Sequence, residues 1–218
     1  MKKNILKHLR TTICTLLPLL GGGWAGVSCS ENDDTVAEYA NWQERNDAFF
    51  YSLEDSLTAN PGTWVKYKSY SKDQSLTTGK NTDCIYVKVL NRSNETVSPM
   101  ATDSVRVSYE GRLIPSATYP EGFVFDTRGY NTFAVETAGT AKFVAAGGLV
   151  NGFSTALLHM HKGDLWRVYI PYALGYNTAS QTNIPAYSTL IYDLALIDIS
   201  PAGQAMPAWS SRRMVLEK

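Results

Sequence analysis

VNGFSTALLHMHKGD, Val150 to Asp164, opens the one helical pattern in the C-terminal half of this 218-residue chain, Gly152 to Met160. What surrounds it is strand-like. Ile85 to Leu90 is rich in β-branched residues, and Val105 to Tyr109 alternates strictly. Leu165 to Ile170 and Leu190 to Ile199 read the same way, as does a shorter run from Trp64 to Tyr70. Many antiparallel strands with one short helix predict an α+β fold: a curved antiparallel sheet wrapped around that helix.

The same stretch raises two sharper possibilities. Gly152-Phe153-Ser154-Thr155-Ala156 is close to the G-x-S-x-G turn that presents a nucleophilic serine. Such a serine needs a base, and past the N-terminal segment the histidines are His159 and His161 alone. No histidine follows position 161, and no alternating strand–helix pattern exists to build the turn. A metal site is disfavoured too. Two histidines two apart diverge on a helix, and no cysteine or acidic pair stands at ligand spacing. The plain expectation is two solvated histidines at a helix C-terminus, with no metal and no cofactor.

The N-terminus has its own logic. Lys2, Lys3, Lys7 and Arg10 precede an apolar run from Ile13 to Leu20, then Gly21-Gly22-Gly23. This is the pattern of an export signal, and the run is short for a bilayer span. Gly26-Val27-Ser28-Cys29 resembles a bacterial lipobox, with Gly26 in place of the usual leucine. Lipidation of Cys29 would anchor the mature chain without a transmembrane helix. The acidic stretch Ser30-Glu31-Asn32-Asp33-Asp34 resembles signals that route lipoproteins to the outer surface. The expected location is thus the cell envelope, at the outer membrane. Cys84 remains as a lone body cysteine in a hydrophobic strand, expected to be a buried, inert thiol. Loss of residues 1–28 leaves 16 basic against 20 acidic side chains, which disfavours nucleic-acid binding.

Thr35-Val36-Ala37-Glu38 has the form of a capping box. Beyond it Tyr39, Trp42, Phe49, Phe50, Leu53 and Leu57 recur at helical spacing until Asn60-Pro61-Gly62. This predicts an amphipathic helix of about six turns, its stripe packed on the protein's own sheet rather than on a second copy.

One series of motifs draws these elements together. Val107-Ser108-Tyr109-Glu110-Gly111 is followed by Phe125-Asp126-Thr127, then by Val150-Asn151-Gly152-Phe153 with Ala156-Leu157. Ile170-Pro171-Tyr172-Ala173-Leu174-Gly175-Tyr176 and Ile184-Pro185-Ala186-Tyr187-Ser188-Thr189-Leu190-Ile191-Tyr192-Asp193 complete it. In this order the series resembles the FKBP-type peptidyl-prolyl cis–trans isomerases. Their patterns are V-x-Y-x-G, F-D-S/T, V-I-x-G-W/F-x-x-A-L, M-x-x-G, I-P-x-x-L-A-Y-G and I-P-P-x-S/T-L-x-F-D-V-x-L. The resemblance runs from about Asp83 to Ser200.

It implies a pocket for proline-containing polypeptides, and for macrolides such as FK506. Tyr109, Phe125, Val150, Phe153, Tyr176, Ile184 and Tyr192 match the family's lining positions, with Phe153 as floor. The Val150 N–H and Tyr176 hydroxyl would hold substrate carbonyls. Asp126 would set a carboxylate beside the reacting amide, hydrogen-bonded near Tyr109. The chain departs from the patterns at Phe153 for tryptophan, Tyr192 for phenylalanine, Gly175 for alanine, Asn177 for glycine and Ala186 for the second proline. Ala141 stands where an aromatic is usual, after a long segment from Thr127 to Lys142.

The expected organisation is a lipoprotein signal peptide (1–28), an N-terminal extension with the amphipathic helix (29–82), an FKBP-like domain (83–200) and a tail (201–218). Two functions are compatible with it. One is a prolyl isomerase that assists the folding of envelope or surface proteins. The other is a catalytically weak FKBP-like module used for binding or chaperoning.

Overall fold

A computed structural model of the chain describes residues 38–77, 79–129, 141–145 and 147–208. The signal segment, Cys29, Thr35, residues 130–140 and the tail from 209 lie outside the described residues. The strands are β1 (Trp64–Lys68), β2 (Cys84–Asn91), β3 (Ser104–Arg112), β4 (Val124–Arg128), β5 (Ala141–Val144), β6 (Leu165–Ile170) and β7 (Leu190–Ser200). They form one antiparallel sheet in the order β1-β2-β6-β7-β3-β4, and β5 also pairs with β3. The architecture is the α+β one expected. Strand β5 was not foreseen, because four residues carry too little alternation to be read.

Two helices cover the sheet from opposite sides. Helix α2 (Asn151–His159) buries Phe153, Ala156 and Leu157, and Met160 just past its end, at 4% exposure or less. Burying Phe153, Leu157 and Met160 contributes about 1.5–3 kcal/mol each. A nine-residue helix is marginal by its own backbone, so this packing is what holds it. A Cβ on Gly152 would sit 2.2 Å from Ile170 Cγ2, so only glycine lets α2 lie this close to β6.

Helix α1 (Trp42–Ala59) lies on the other face. Its Phe50 ring meets Tyr86 of β2 at 5.1 Å, and Phe49 meets Tyr169 of β6 at 6.1 Å. Ile85, Tyr86 and Val87 are all fully buried, which a strand achieves only with both faces covered. The stripe Trp42, Phe50 and Leu53 therefore packs within the chain. The helix starts later than the sequence pattern suggests, after Asn41 in a left-handed conformation (φ 51°) with no side-chain cap. Of the expected capping box, Thr35 lies outside the described residues, and the Glu38 carboxylate accepts hydrogen bonds from the N–H and hydroxyl of Thr118, across the fold. Asn60, Pro61 and Gly62 (φ 90°) end the helix as expected.

His159 is exposed, as expected, and its ring also stacks on Tyr67 at 4.2 Å, with Tyr67 stacked in turn on Trp166 at 5.7 Å. Desolvation holds the His159 pKa below the ordinary value. His161 stays half-buried, its backbone N–H donated to the Asp164 carboxylate at 2.8 Å. Cys84 is half-buried, and burial raises its thiol pKa, as suits an inert thiol.

His159 makes stability depend on pH. The unfolded chain takes up its proton first, near pH ~6.5. The contribution is complete above that pH and is lost as pH falls through the lower folded value. Melting curves from pH 7.5 to 5 should show Tm falling less steeply for His159→Gln than for the wild type. Parallel slopes would exclude His159 as a cause.

Candidate functional site

Where the N-terminal end of α2 meets the sheet there is a cavity of about 520 Å³. Tyr109 enters from β3, Asp126 from β4, Phe143 from β5 and Tyr192 from β7. Leu149, Val150, Asn151 and Phe153 enter from the start of α2, and Gly175 and Tyr176 from the turn after β6. Register explains part of this convergence. Gly111 of β3 pairs with Asp126 on one side and with Tyr192 on the other. A Cβ there would lie 2.6 Å from the Tyr192 ring and 2.7 Å from that of Phe125. The glycine of V-x-Y-x-G thus leaves room for two rings over the strand.

Phe153 stands at the centre of an edge-to-face cluster. Its ring lies 4.9 Å from Tyr192, 5.6 Å from Tyr109 and 6.2 Å from Phe143, at interplanar angles of 84°, 78° and 76°. Such contacts contribute about 0.5–1.5 kcal/mol each beyond area burial, and they hold the walls rigid. Of the eight residues singled out from sequence, six line the cavity. Phe125 and Ile184 do not. Phe125 backs Tyr192 edge-on at 5.6 Å, and Ile184 is buried within the connection before β7.

Polar groups are few and placed. The Tyr109 hydroxyl donates to Asp126 Oδ2 at 2.7 Å, and Arg128 Nη1 stands 3.2 Å from Oδ1. Burial, then the neighbouring carboxylate, pushes the Tyr109 phenol pKa well up, so it remains a donor. The Tyr176 phenol is raised by burial and by Asp126. Among the described residues, nothing accepts a hydrogen bond from the Val150 N–H. The Tyr192 hydroxyl likewise has no hydrogen-bond partner among them, though the residue is only 6% exposed. Ser154 is fully buried in α2, away from any base. No three of His, Cys, Asp and Glu among the described residues could hold a metal ion.

The departures from the family patterns resolve locally. Asn177 takes the left-handed conformation (φ 55°) that glycine would otherwise supply, so the turn carrying Tyr176 is kept. Phe143 lines the cavity on the side where position 141 brings no ring. Phe143 and Leu149 were not picked out as lining residues. Leu149 adjoins the Val150 motif and could have been, whereas Phe143 depends on the β3–β5 register.

Comparison with known proteins agrees with this geometry. Residues 95–197 match the family described as FKBP-type peptidyl-prolyl cis-trans isomerase. The domain belongs to the FKBP family. Outside this match the chain adds α1, β1 and β2. It is 29% identical over 154 residues to the FKBP-type peptidyl-prolyl cis-trans isomerase FkpA of Escherichia coli, covering 70% of this chain and 51% of that one. It is 33% identical over 112 residues to the macrophage infectivity potentiator of Trypanosoma cruzi, covering 51% and 50%. The chain thus spans about half the length of these curated relatives. Two crystal structures share the fold. FkpA from Escherichia coli gives a TM-score of 0.52 at 23% identity, covering 75% of this chain and 63% of that one. A peptidyl-prolyl cis-trans isomerase from Pseudomonas syringae gives 0.51 at 22%, covering 77% and 99%.

Among the described residues the Tyr192 hydroxyl contributes no hydrogen bond that its loss would break. Tyr192→Phe should leave Tm unchanged or raise it by up to about 4 °C, the scale of 1 kcal/mol in a chain this size. A fall of several degrees would show that the hydroxyl is bonded.

Proposed function

We propose that the cavity binds proline-containing polypeptides and accelerates cis–trans rotation about X–Pro bonds. The supporting observation is an aromatic cavity whose polar groups suit amide binding but include no histidine base. Rotation about an X–Pro bond faces a barrier of about 18–20 kcal/mol and takes tens to hundreds of seconds unaided. No bond is broken, so neither nucleophile nor proton acceptor is needed. Resonance makes the C–N bond partly double and places negative charge on the carbonyl oxygen. Water stabilises that planar, charge-separated state, and an apolar site does so less. The twisted transition state then gains relative to the ground state. A 10⁶-fold acceleration needs about 8 kcal/mol of such differential stabilisation.

Each side chain has a part in this. Phe153 seats the proline ring, with Tyr109, Phe143 and Tyr192 as walls. The Val150 N–H and the Tyr176 hydroxyl hold carbonyls on either side of the rotating bond. Asp126, fixed by Tyr109, presents a carboxylate to the carbon side of the amide as its dipole turns. A macrolide that mimics a prolyl ketoamide, such as FK506, would compete for the same cavity.

A protease-coupled assay on an Ala-Leu-Pro-Phe peptide tests these roles. Tyr176→Phe should lower kcat/KM about threefold to tenfold, the loss of one hydrogen bond at ~0.5–1.5 kcal/mol. Asp126→Val should cost at least as much, because a charge beside the amide is lost from a low-dielectric site. Ser154→Ala and His161→Ala should leave kcat/KM unchanged. A wild type that does not accelerate the reaction would leave the domain as a binding or chaperone module.

We also propose that the chain is exported and tethered at the outer membrane through a lipid on Cys29, with the acidic stretch after it favouring the outer surface. The n-region, the apolar run and Ser28-Cys29 support this. Among the described residues no helix is long and apolar enough to cross a membrane. Mass spectrometry of the mature protein should find an acylated N-terminal cysteine, lost in Cys29→Ala. An unmodified chain beginning elsewhere would refute the anchor.

A further inference from the structure

Helix α1 is bonded to the segment that joins two cavity residues. Tyr176 ends the turn after β6, Tyr192 lies in β7, and residues 177–189 connect them. The first turns of α1 reach this connection twice. Trp42 Nε1–H donates to Ser188 Oγ at 2.8 Å, and the Thr189 N–H donates to Asn46 Oδ1 at 2.7 Å, both buried. Asn46 is fully buried, and its amide is used at both ends, since Nδ2 donates to the Trp42 carbonyl at 2.7 Å. Ser188 is used at both ends as well, its hydroxyl donating to the Pro185 carbonyl at 2.7 Å. From there the bonds run on to the cavity. The Tyr187 N–H donates to the Asn177 carbonyl at 3.0 Å, and the Asn177 N–H to the Tyr172 carbonyl at 2.8 Å. Tyr176 lies between Tyr172 and Asn177, inside that closed turn.

The connection is backbone that needs holding. Asn177, Asn183 and Tyr187 have φ of 55°, 63° and 61°, and for a residue as bulky as tyrosine that conformation is unfavourable unless its surroundings impose it. Few apolar side chains do so: residues 177–183 are mostly exposed, while Ser188 and Thr189 are buried where α1 meets them. Helix α1 is in turn held on the sheet by Phe49 and Phe50, whose rings meet Tyr169 and Tyr86.

We infer that Trp42 and Asn46 are positioning residues for the isomerase cavity: through Ser188 and Thr189, α1 fixes the 177–189 connection and with it the Tyr176 rim. This rests on the cavity being the X–Pro site, and it gives the N-terminal helix a part in turnover without touching substrate. Tyr176 must be held within a fraction of an ångström of its carbonyl partner to act, so looseness in the connection appears as lost transition-state binding.

The test uses the mature full-length chain. Trp42→Phe keeps a ring on the sheet and deletes only the Nε1–H donor. Ser188→Ala deletes the acceptor from the other side. Leu53→Ala, about three turns further along α1, serves as a control that loosens the helix away from the loop. Two readouts are taken beside Tm. In native-state hydrogen exchange, Trp42→Phe and Ser188→Ala should each speed exchange at the Tyr187 and Asn177 amides by about tenfold more than in strand β7. In the peptide assay each should lower kcat/KM about threefold to tenfold, and the double variant should lose no more than either single one. Leu53→Ala should lower Tm at least as much, yet leave kcat/KM within error and show no local excess of exchange at 177–189.

Exchange that rises evenly across the domain in all variants would overturn the inference. So would Trp42→Phe and Ser188→Ala that change Tm but not kcat/KM. An inactive wild type would remove the isomerase function itself, and the exchange comparison would still decide whether α1 fixes the rim.

Discussion

The close approach of α2 to β6 at Gly152 sets the geometry of everything near the cavity. With Ile170 Cγ2 only 2.2 Å from where a Cβ would be, the helix lies against the strand with no side chain between them. That depth puts Phe153, the next residue, among Tyr109, Phe143 and Tyr192 instead of above them. It also leaves the Val150 N–H at the cavity's edge without an internal acceptor among the described residues. A larger residue at 152 would lift the helix, part the ring cluster and move the N–H together. One missing methyl group thus couples packing to the site's chemistry.

The electrostatics follow from the same enclosure. A carboxylate facing aromatic walls would normally take a proton or seek water, since burying a lone charge is costly. Asp126 keeps contact with water, 38% of its side chain being exposed, while it accepts the Tyr109 hydroxyl and stands beside Arg128 at the outer rim. The cavity can therefore present negative charge on an otherwise apolar surface, held by partners that do not reorganise during a bond rotation. A proton-free reaction is well matched to such a site, because what is asked of the protein is a fixed, weakly solvating environment.

How much of this the sequence discloses depends on the range of the interaction. Strands β2, β3, β6 and β7 are visible because alternation is local, and α2 because Gly152 to Met160 has the only helical pattern there. The motif order draws six cavity residues together because each sits at a fixed place within a short motif. Phe125 stands behind that set, its ring edge-on to Tyr192 at 5.6 Å. Long-range partners leave no such trace. Thr118 holds Glu38 from 80 residues away, and α1 begins only at Trp42. Tyr67 takes the exposed His159 ring by stacking, a contact across more than 90 residues that the helix pattern does not show. The bonds from Trp42 and Asn46 to the loop before β7 span more than 140 residues, and nothing in either segment announces them.

What matters most is whether this cavity speeds an X–Pro bond. Two-dimensional exchange NMR on a proline-containing tetrapeptide measures that directly, since the cis and trans forms give separate signals that interconvert too slowly to cross-peak unaided. With micromolar wild-type protein and millimolar peptide, cross-peaks between the two forms should appear within a mixing time of about a second, and FK506 should remove them by filling the cavity. If the cis–trans rate with protein present equals that of the free peptide, the cavity is not an isomerase site.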